Sequence, residues 1–221
     1  MLLMRRWLQG RYLLAWLLLL TDLGFILLDI GYHRTPWITF HFYCIGTDRG
    51  YAEVFQYVKE FWLIILFVLL SFNTRFRIYV LWAGLFSYFL IDDALCIHES
   101  LGRIMADFFQ FVPAFGLRAK DFGELIVSAS VGLVFVLGMG RWYLHCHDSL
   151  HRKINDDLLK FLLALGFCGI VFDMLHLVLQ KTSWEAPFSI LEDGGEMVVM
   201  SLILWYVFRL HEDREAGRAR A

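Results

Sequence analysis

Runs of about twenty predominantly apolar residues recur along the chain, and they limit its possible folds more than any other feature. At a rise of about 1.5 Å per residue, a helix of that length crosses a hydrocarbon core of roughly 30 Å. Hydrophobic residues occupy 59% of the 221 positions and charged residues 19%, whereas an average soluble domain has about 45–50% and 25%. The sequence therefore predicts an all-α, polytopic membrane protein.

The connections between these runs are short and leave no room for a separate soluble domain. We expect a single domain over residues 1–221, built as a bundle of six transmembrane helices. The predicted spans are 12–31, 54–72, 78–97, 123–143, 158–179 and 191–210.

Basic residues predict the orientation of the bundle. Thirteen of the 20 Lys and Arg residues fall before the first span, after the last one, in the second and fourth connections or at the span ends beside them, as Arg77, Arg141 and Lys153 do. The positive-inside rule then places both termini in the cytoplasm. No small-residue cleavage site follows the first apolar run, so we expect it to be retained as a helix. A net charge of −2 gives no basic surface for nucleic acid, and no feature identifies a protein partner.

Acidic and histidine side chains stand at one end of four predicted spans, although a charged group inside a span costs about 2.5–3.5 kcal/mol on insertion scales. In the predicted orientation they all lie toward the periplasmic side. Unpaired charges in a membrane must meet each other, water or a cation, so we expect a shared polar site. The candidate metal ligands are Asp93, His98, Glu99, Glu124, Asp173, His176, Glu192 and Glu196.

Their spacing adds two expectations. Asp173 and His176 are three residues apart and Glu192 and Glu196 four apart, so each pair is predicted to share a helix face. Residues 121–124 and 193–196 both read Asp-x-Gly-Glu at the start of an inward-running span. This pattern favours a pseudo-twofold repeat that relates spans 3–4 to spans 5–6.

The residue types approximate a di-iron carboxylate bundle, in which two helices each supply one Glu and two each supply Glu-x-x-His. Here Asp173 takes the place of Glu, and Cys96 occupies the matching histidine position on span three. Carboxylates bridge two cations, and imidazoles complete the coordination while leaving positions open. Iron, manganese or zinc fits such ligands better than calcium, which takes oxygen ligands.

The function favoured by this cluster is a membrane-embedded metal-dependent oxidoreductase or hydrolase acting on a lipid or quinone-like small molecule, with no residue assigned as catalytic. A cation or proton transporter using the same carboxylates is the alternative, and a structural membrane protein without metal is the second. The apolar inner halves of the spans, for example 131–137 and 202–207, argue against a continuous polar path through the membrane.

Several polar residues outside the cluster receive separate interpretations. The aromatic segment 103–120 is expected to form an interfacial lid, with an aromatic anchor at the membrane surface as the alternative. The histidines at 145, 147 and 151 are interpreted as parts of a solvated cytoplasmic loop, and the cysteines imply no disulfide framework. Partners that orient the ligands are expected among Asp22, Asp29, His33, Glu53 and Glu60. Interfacial placement is the simpler account of His33 and Glu53.

Three short motifs connect the chain to other proteins. They are Asp-Asp-x4-His-Glu at 92–99, Asp-x-Gly-Glu at 121–124 and Glu-Asp-x-x-Glu-Met at 192–197. The combination resembles that of small bacterial multi-span inner-membrane proteins of uncharacterised function. The resemblance covers spans three to six and implies a multi-pass protein of the cell inner membrane, without implying an activity.

Overall fold

The structure, a computed structural model, describes residues 12–179 and 185–218, and these form helices joined by short loops. The helices are α1 (Leu13–Arg34), α2 (Tyr51–Thr74), α3 (Ile78–Leu95), α4 (Ile97–Phe109), α5 (Ala119–His145), α6 (Ser149–Leu179) and α7 (Glu185–Ser189, π-helical Ile190–Gly194 and Gly195–Arg218).

Five of the described helices, α1, α2, α3, α5 and α6, are long and apolar enough to cross a membrane, as a membrane protein requires. Several of them extend beyond the predicted spans. For example, α6 begins at Ser149 because the Asp148 side chain accepts a hydrogen bond from the backbone N–H of His151, which caps the helix. The sixth predicted span, 191–210, falls within α7.

The predicted lid region contains a helix that starts earlier than expected. Cys96, in the left-handed conformation with φ of 51°, separates α3 from α4, which therefore begins at Ile97. α4 then packs along α5, where a Cβ added to Gly123 would overlap the carbonyl oxygen of Gly102. Two glycines thus let the backbones of α4 and α5 touch.

α7 is the central helix, since it packs against α1, α2 and α6. Its Ile203 and Val207 are buried in the main hydrophobic core. In the same core the ring of Phe67 stacks on Trp82 and Phe86, with centroids 5.9 and 5.6 Å apart. This apolar packing fills the end of the bundle that contains the α2–α3 and α5–α6 connections.

The interpretation of the histidine-rich loop was wrong for His151. This residue lies in α6 and is 6% exposed, with the hydroxyl of Tyr79 2.8 Å from its Nδ1 and the ring of Phe76 against it. Cys146 is buried as well. Because α6 starts directly after this loop, it carries His151 into the bundle, whereas His145 and His147 stay exposed.

Candidate functional site

The other end of the bundle encloses a cavity of about 320 Å³ between α2, α3, α5, α6 and α7, hereafter the acidic cavity. One of its ends is polar and the other is apolar. The polar end is lined by Glu60, Asp92, Asp93, His98, Glu124, Asp173 and Glu196. The apolar end is lined by Leu85, Val131, Phe135, Leu162, Leu165 and Met200.

Most of the predicted ligands line this cavity, namely Asp93, His98, Glu124, Asp173 and Glu196. Glu99, His176 and Glu192 are not among its lining residues, and Lys120, which faces Glu99, also lies 3.2 Å from Glu124. Glu99 lies 3.6 Å from the ammonium of Lys120, and Nδ1 of His176 lies 2.6 Å from Oε2 of Glu192. The structure therefore groups acids from separate helices, as expected. The remaining predicted ligands form pairs with other side chains, Glu99 with Lys120 and His176 with Glu192.

Two π-helical segments position the acids of α6 and α7. Phe167–Phe172 directly precedes Asp173, and Ile190–Gly194 lies just before Glu196. The segments contact each other closely, because a Cβ on Gly195 would come within 2.8 Å of the sulfur of Cys168. π-helical turns are rare and are frequently found at functional sites.

The second segment also explains why the predicted shared face of Glu192 and Glu196 does not hold. Asp173 and His176 lie together in regular helix after the first segment, and both contact Glu192. A π turn changes the angular relation between residues on either side of it. Glu192, within such a segment, pairs with His176, whereas Glu196 beyond it lines the acidic cavity. Gly169 makes room for Glu196, because a Cβ at Gly169 would overlap its Oε1.

Glu60 and Gln56 of α2 line the acidic cavity, and each has a side-chain oxygen without a hydrogen-bond partner among the described residues. Glu60 is 1% exposed and contacts the carboxylate of Asp93. Its Oε2 and the Oε1 of Gln56 have no hydrogen-bond partner in the described part of the chain. A buried oxygen without a partner costs about 1–3 kcal/mol, so the cavity presents acceptors that a bound group would satisfy.

A smaller cavity of about 160 Å³ adjoins the acidic one, and we name it the loop cavity. The α1–α2 loop supplies its wall through residues 45–48. Gln56, Asp93 and Glu196 line both cavities. These side chains are therefore accessible from two directions.

His98 is oriented by Asp92 at the break between α3 and α4. The Asp92 carboxylate accepts hydrogen bonds from the backbone N–H of His98, at 2.6 Å, and from its Nδ1, at 3.0 Å. The hydrogen bond that His98 donates to the Asp92 carboxylate raises the pKa of His98. When His98 is neutral, the contact leaves Nε2 with a free lone pair, as carboxylate–histidine pairs do in metal sites.

A buried ion pair lies beside the acidic cavity and joins α1, α2 and α7. Lys59 and Asp22 are both 0% exposed, and the Lys59 ammonium donates hydrogen bonds to Asp22 at 3.1 Å, the Met197 carbonyl at 2.9 Å and Ser201 at 3.3 Å. The Ser201 hydroxyl in turn donates to Asp22 at 2.5 Å. Asp22, expected to orient metal ligands, therefore pairs with a lysine instead.

Within the described residues, three ligand atoms lie within 4.8 Å of one another at two places. One group is Asp29, His33 and Cys44, and the other is Asp48, Cys96 and Glu99. The acids of the acidic cavity instead surround an open volume.

Comparison with known proteins identifies a family. The family described as "Domain of unknown function (DUF8692)" matches residues 18–211. The chain belongs to this family. No curated protein and no solved structure matches the chain. Because the DUF8692 match runs from α1 into α7, it includes every residue of both cavities.

Sequence reasoning underrated Glu60 and did not single out Gln56 or Lys59. Glu60 was expected only as an orienting partner, but it lines the acidic cavity directly. A signal existed in the run Gln56-x-x-Lys59-Glu60, since three polar residues within one turn or so of an apolar helix must find buried partners. Glycine pairs at 166 and 169 and at 194 and 195 mark the π segments.

Proposed function

We propose that this chain is a membrane-embedded, metal-dependent enzyme whose acidic cavity binds iron, manganese or zinc. Its substrate would be a lipid or quinone-like molecule with its apolar part in the apolar end of the cavity. The observation that carries the proposal is one cavity in which acids from five helices, including Glu60 with its unpartnered oxygen, adjoin an apolar end.

Charge supports a cation. Carboxylates from α2, α3, α5, α6 and α7 face the same space, and among its described lining residues none is Lys or Arg. Of these carboxylates, Glu124 lies 3.2 Å from the ammonium of Lys120. The nearest buried lysine, Lys59, is held by Asp22. Like charges in a site of low dielectric repel strongly, so binding a divalent ion stabilises the ionised cluster.

The chemistry divides among the lining residues. Asp93, Glu124, Asp173 and Glu196 come from four helices and would hold the metal, with His98 oriented toward it by Asp92. When bound, the metal would supply Lewis acidity or oxygen activation. Glu60, whose Oε2 is unpartnered, is positioned to exchange a proton with the substrate.

We propose a six-span topology in which α7 is the sixth span. Its Met200, Ile203 and Val207 are buried against neighbouring helices, and its Glu196 lines the acidic cavity. Both termini are then cytoplasmic and the acidic cavity lies toward the periplasmic side of the inner membrane. The exposed rings of Phe108 and Phe115 suit an interfacial position. The repeat of spans 3–4 and 5–6 stays a prediction.

We propose that the substrate reaches the acidic cavity from the membrane through a groove between α3 and α5. This groove, named the α3–α5 groove, has a volume of about 890 Å³. It begins at Arg77 and passes the exposed Gly84. The groove and the acidic cavity share four lining residues, Leu85, Tyr88, Val131 and Phe135. A lipid whose anionic headgroup lies at Arg77 can therefore extend an acyl chain toward the cavity.

The transporter alternative is less well supported. A transported ion needs polar groups along its whole path, but the acidic cavity ends in apolar side chains that include Leu162 and Met200. On α6, the next buried polar residue beyond Leu162 is Asn155, about 10 Å further along the helix. Asn155 is already bonded to Trp82 and to the His151 carbonyl.

Metal content tests the proposal. We expect tag-free protein purified in detergent and supplied with iron, manganese or zinc to retain about two equivalents in the acidic cavity, as in di-metal bundles. Glu196→Gln and Asp173→Asn should each lose most of that metal, because each removes a charged ligand. Asp157→Asn is the matched control, since Asp157 pairs with Lys160 on the same helix as Asp173.

Elemental analysis and size-exclusion chromatography of each variant provide the measurement. If Glu196→Gln and Asp173→Asn elute normally and retain as much metal as the wild type, the acidic cavity is not the metal site. In that case assays of proton or cation transport become the next experiment.

The α3–α5 groove makes a separate prediction. A Cβ on Gly84 meets no atom within 4 Å, so Gly84→Leu fills the groove without disturbing the helix. We expect photo-crosslinking by a phospholipid with a diazirine-bearing acyl chain to fall about tenfold, equivalent to about 1.4 kcal/mol of overpacking against the chain. Gly140→Leu, at an equally open glycine outside the groove, should crosslink like the wild type. Equal labelling of both variants contradicts this route, whatever their metal content.

A further inference from the structure

A second group of potential ligands lies away from the acidic cavity, where the α1–α2 loop returns to α1. Asp29 and His33 are one turn apart near the end of α1. Cys44 follows the 3₁₀ turn His41–Tyr43. Ligand atoms of Asp29, His33 and Cys44 lie within 4.8 Å of one another, although the aspartate and the cysteine are 15 positions apart in the chain.

The three side chains are held in place by the backbone. Asp29 is 4% exposed, and its Oδ1 accepts a hydrogen bond from the N–H of Ile45 at 3.1 Å. Nδ1 of His33 lies 3.0 Å from the carbonyl oxygen of Asp29. The same Nδ1 lies 3.5 Å from Oδ1 of Asp29, so the contact holds the imidazole beside the carboxylate. Backbone contacts of this kind orient the histidine ligands of metal sites.

The donor types select the metal. One thiolate, one imidazole and one carboxylate suit zinc, which often takes three protein ligands and leaves a fourth position for water. The other three-residue group, Asp48, Cys96 and Glu99, has no imidazole, and its Glu99 already faces Lys120. The zinc-type donor set is therefore the one at Asp29.

We propose that Asp29, His33 and Cys44 bind one Zn²⁺ ion that ties the α1–α2 loop to α1. Binding releases the thiol proton of Cys44 to solvent as the zinc–sulfur bond forms. Residues 45–48, directly after Cys44, form the wall of the loop cavity, so the ion would hold that wall in place. This inference is independent of the metal proposed for the acidic cavity.

Cobalt provides the test, because a thiolate bound to Co²⁺ gives a charge-transfer absorption in the near ultraviolet and a carboxylate does not. Protein stripped with a chelator and titrated with Co²⁺ is expected to develop this absorption up to the level of one thiolate-bound ion per chain, and Zn²⁺ should remove it by displacement. Cys44→Ser should abolish the absorption, and His33→Ala should weaken cobalt binding about tenfold or more. Cys96→Ser, which alters the other group, should leave it unchanged.

Alkylation of the wild-type protein gives a second measurement that needs no variant. Saturating Zn²⁺ should protect Cys44 from a thiol reagent and leave Cys96 reactive, with mass spectrometry identifying the modified peptide. No absorption in the wild type, absorption that survives Cys44→Ser, or equal alkylation of Cys44 with and without zinc overturns the proposal. Glu196→Gln should retain the cobalt absorption, which separates this site from failure of the acidic cavity to bind metal.

Discussion

Replacing Lys59 with Met is expected to destabilise the protein by about 3–5 kcal/mol, because it leaves a buried carboxylate without its counter-charge. Asp22 and Lys59 are both inaccessible to solvent. The Lys59 ammonium also donates to the Met197 carbonyl and to Ser201, so its loss removes the polar link between α1, α2 and α7. The apparent melting temperature in detergent should fall accordingly.

A double variant separates the charge effect from the loss of packing. Asp22→Asn combined with Lys59→Met removes both charges and should recover a large part of the stability, because replacing a whole buried ion pair is often nearly neutral. Lys160→Met is the surface control, since Lys160 forms an exposed pair with Asp157 and exposed pairs contribute little. A melting temperature for Lys59→Met equal to that of Lys160→Met would contradict the assignment of Lys59 as a structural link.

Gly123→Ala is expected to destabilise the protein by about 3 kcal/mol, at the upper end of overpacking costs. In an open helical position the same change stabilises by up to about 1 kcal/mol. Here the new Cβ would overlap the carbonyl oxygen of Gly102 and lie 2.7 Å from its carbonyl carbon. Both are backbone atoms that no rotamer change can move, so α4 must shift away from α5.

Gly140→Ala supplies the matched control on the same helix, because a Cβ at Gly140 meets nothing within 4 Å and should be neutral or stabilising. Thermal unfolding in detergent distinguishes the two variants by sign. Since His98 lies on α4 and Glu124 on α5, Gly123→Ala should also weaken metal retention in the acidic cavity. A Gly123→Ala variant as stable as Gly140→Ala would mean that α4 and α5 are not in backbone contact.

The prediction of a shared polar site depended on the free-energy cost of placing charged side chains in a membrane. The structure brings several of these side chains together, as that cost requires. Asp93, Glu124, Asp173 and Glu196 are far apart in the chain, yet one cavity gathers them. The directions in which Glu192 and Glu196 project from α7 did not follow from their spacing in the sequence. Regular helical geometry was assumed there, whereas a π-helical segment lies across that stretch.

Partner choice was the least predictable feature. In the sequence, Asp22 and Glu60 both look like isolated charges in apolar helices. In the structure, Asp22 forms an ion pair with Lys59, whereas Glu60 lines the acidic cavity. The sequence contains no signal that tells which of these two acids would pair with Lys59. The free-energy cost of placing either acid in an isolated apolar helix is similar. Only the packing of α1 and α7 on α2 decides it.

The sequence by itself determined the all-helical class, the positions of the apolar helices and the need for their polar residues to converge. The reason is that membrane insertion depends on length and hydropathy, which are local properties of the chain. Tertiary structure alone decided which acids line the cavity, how the π segments turn them, and that Cys44 meets Asp29 and His33. Those outcomes depend on helix rotation and close packing, and both are set by contacts between residues distant in the chain.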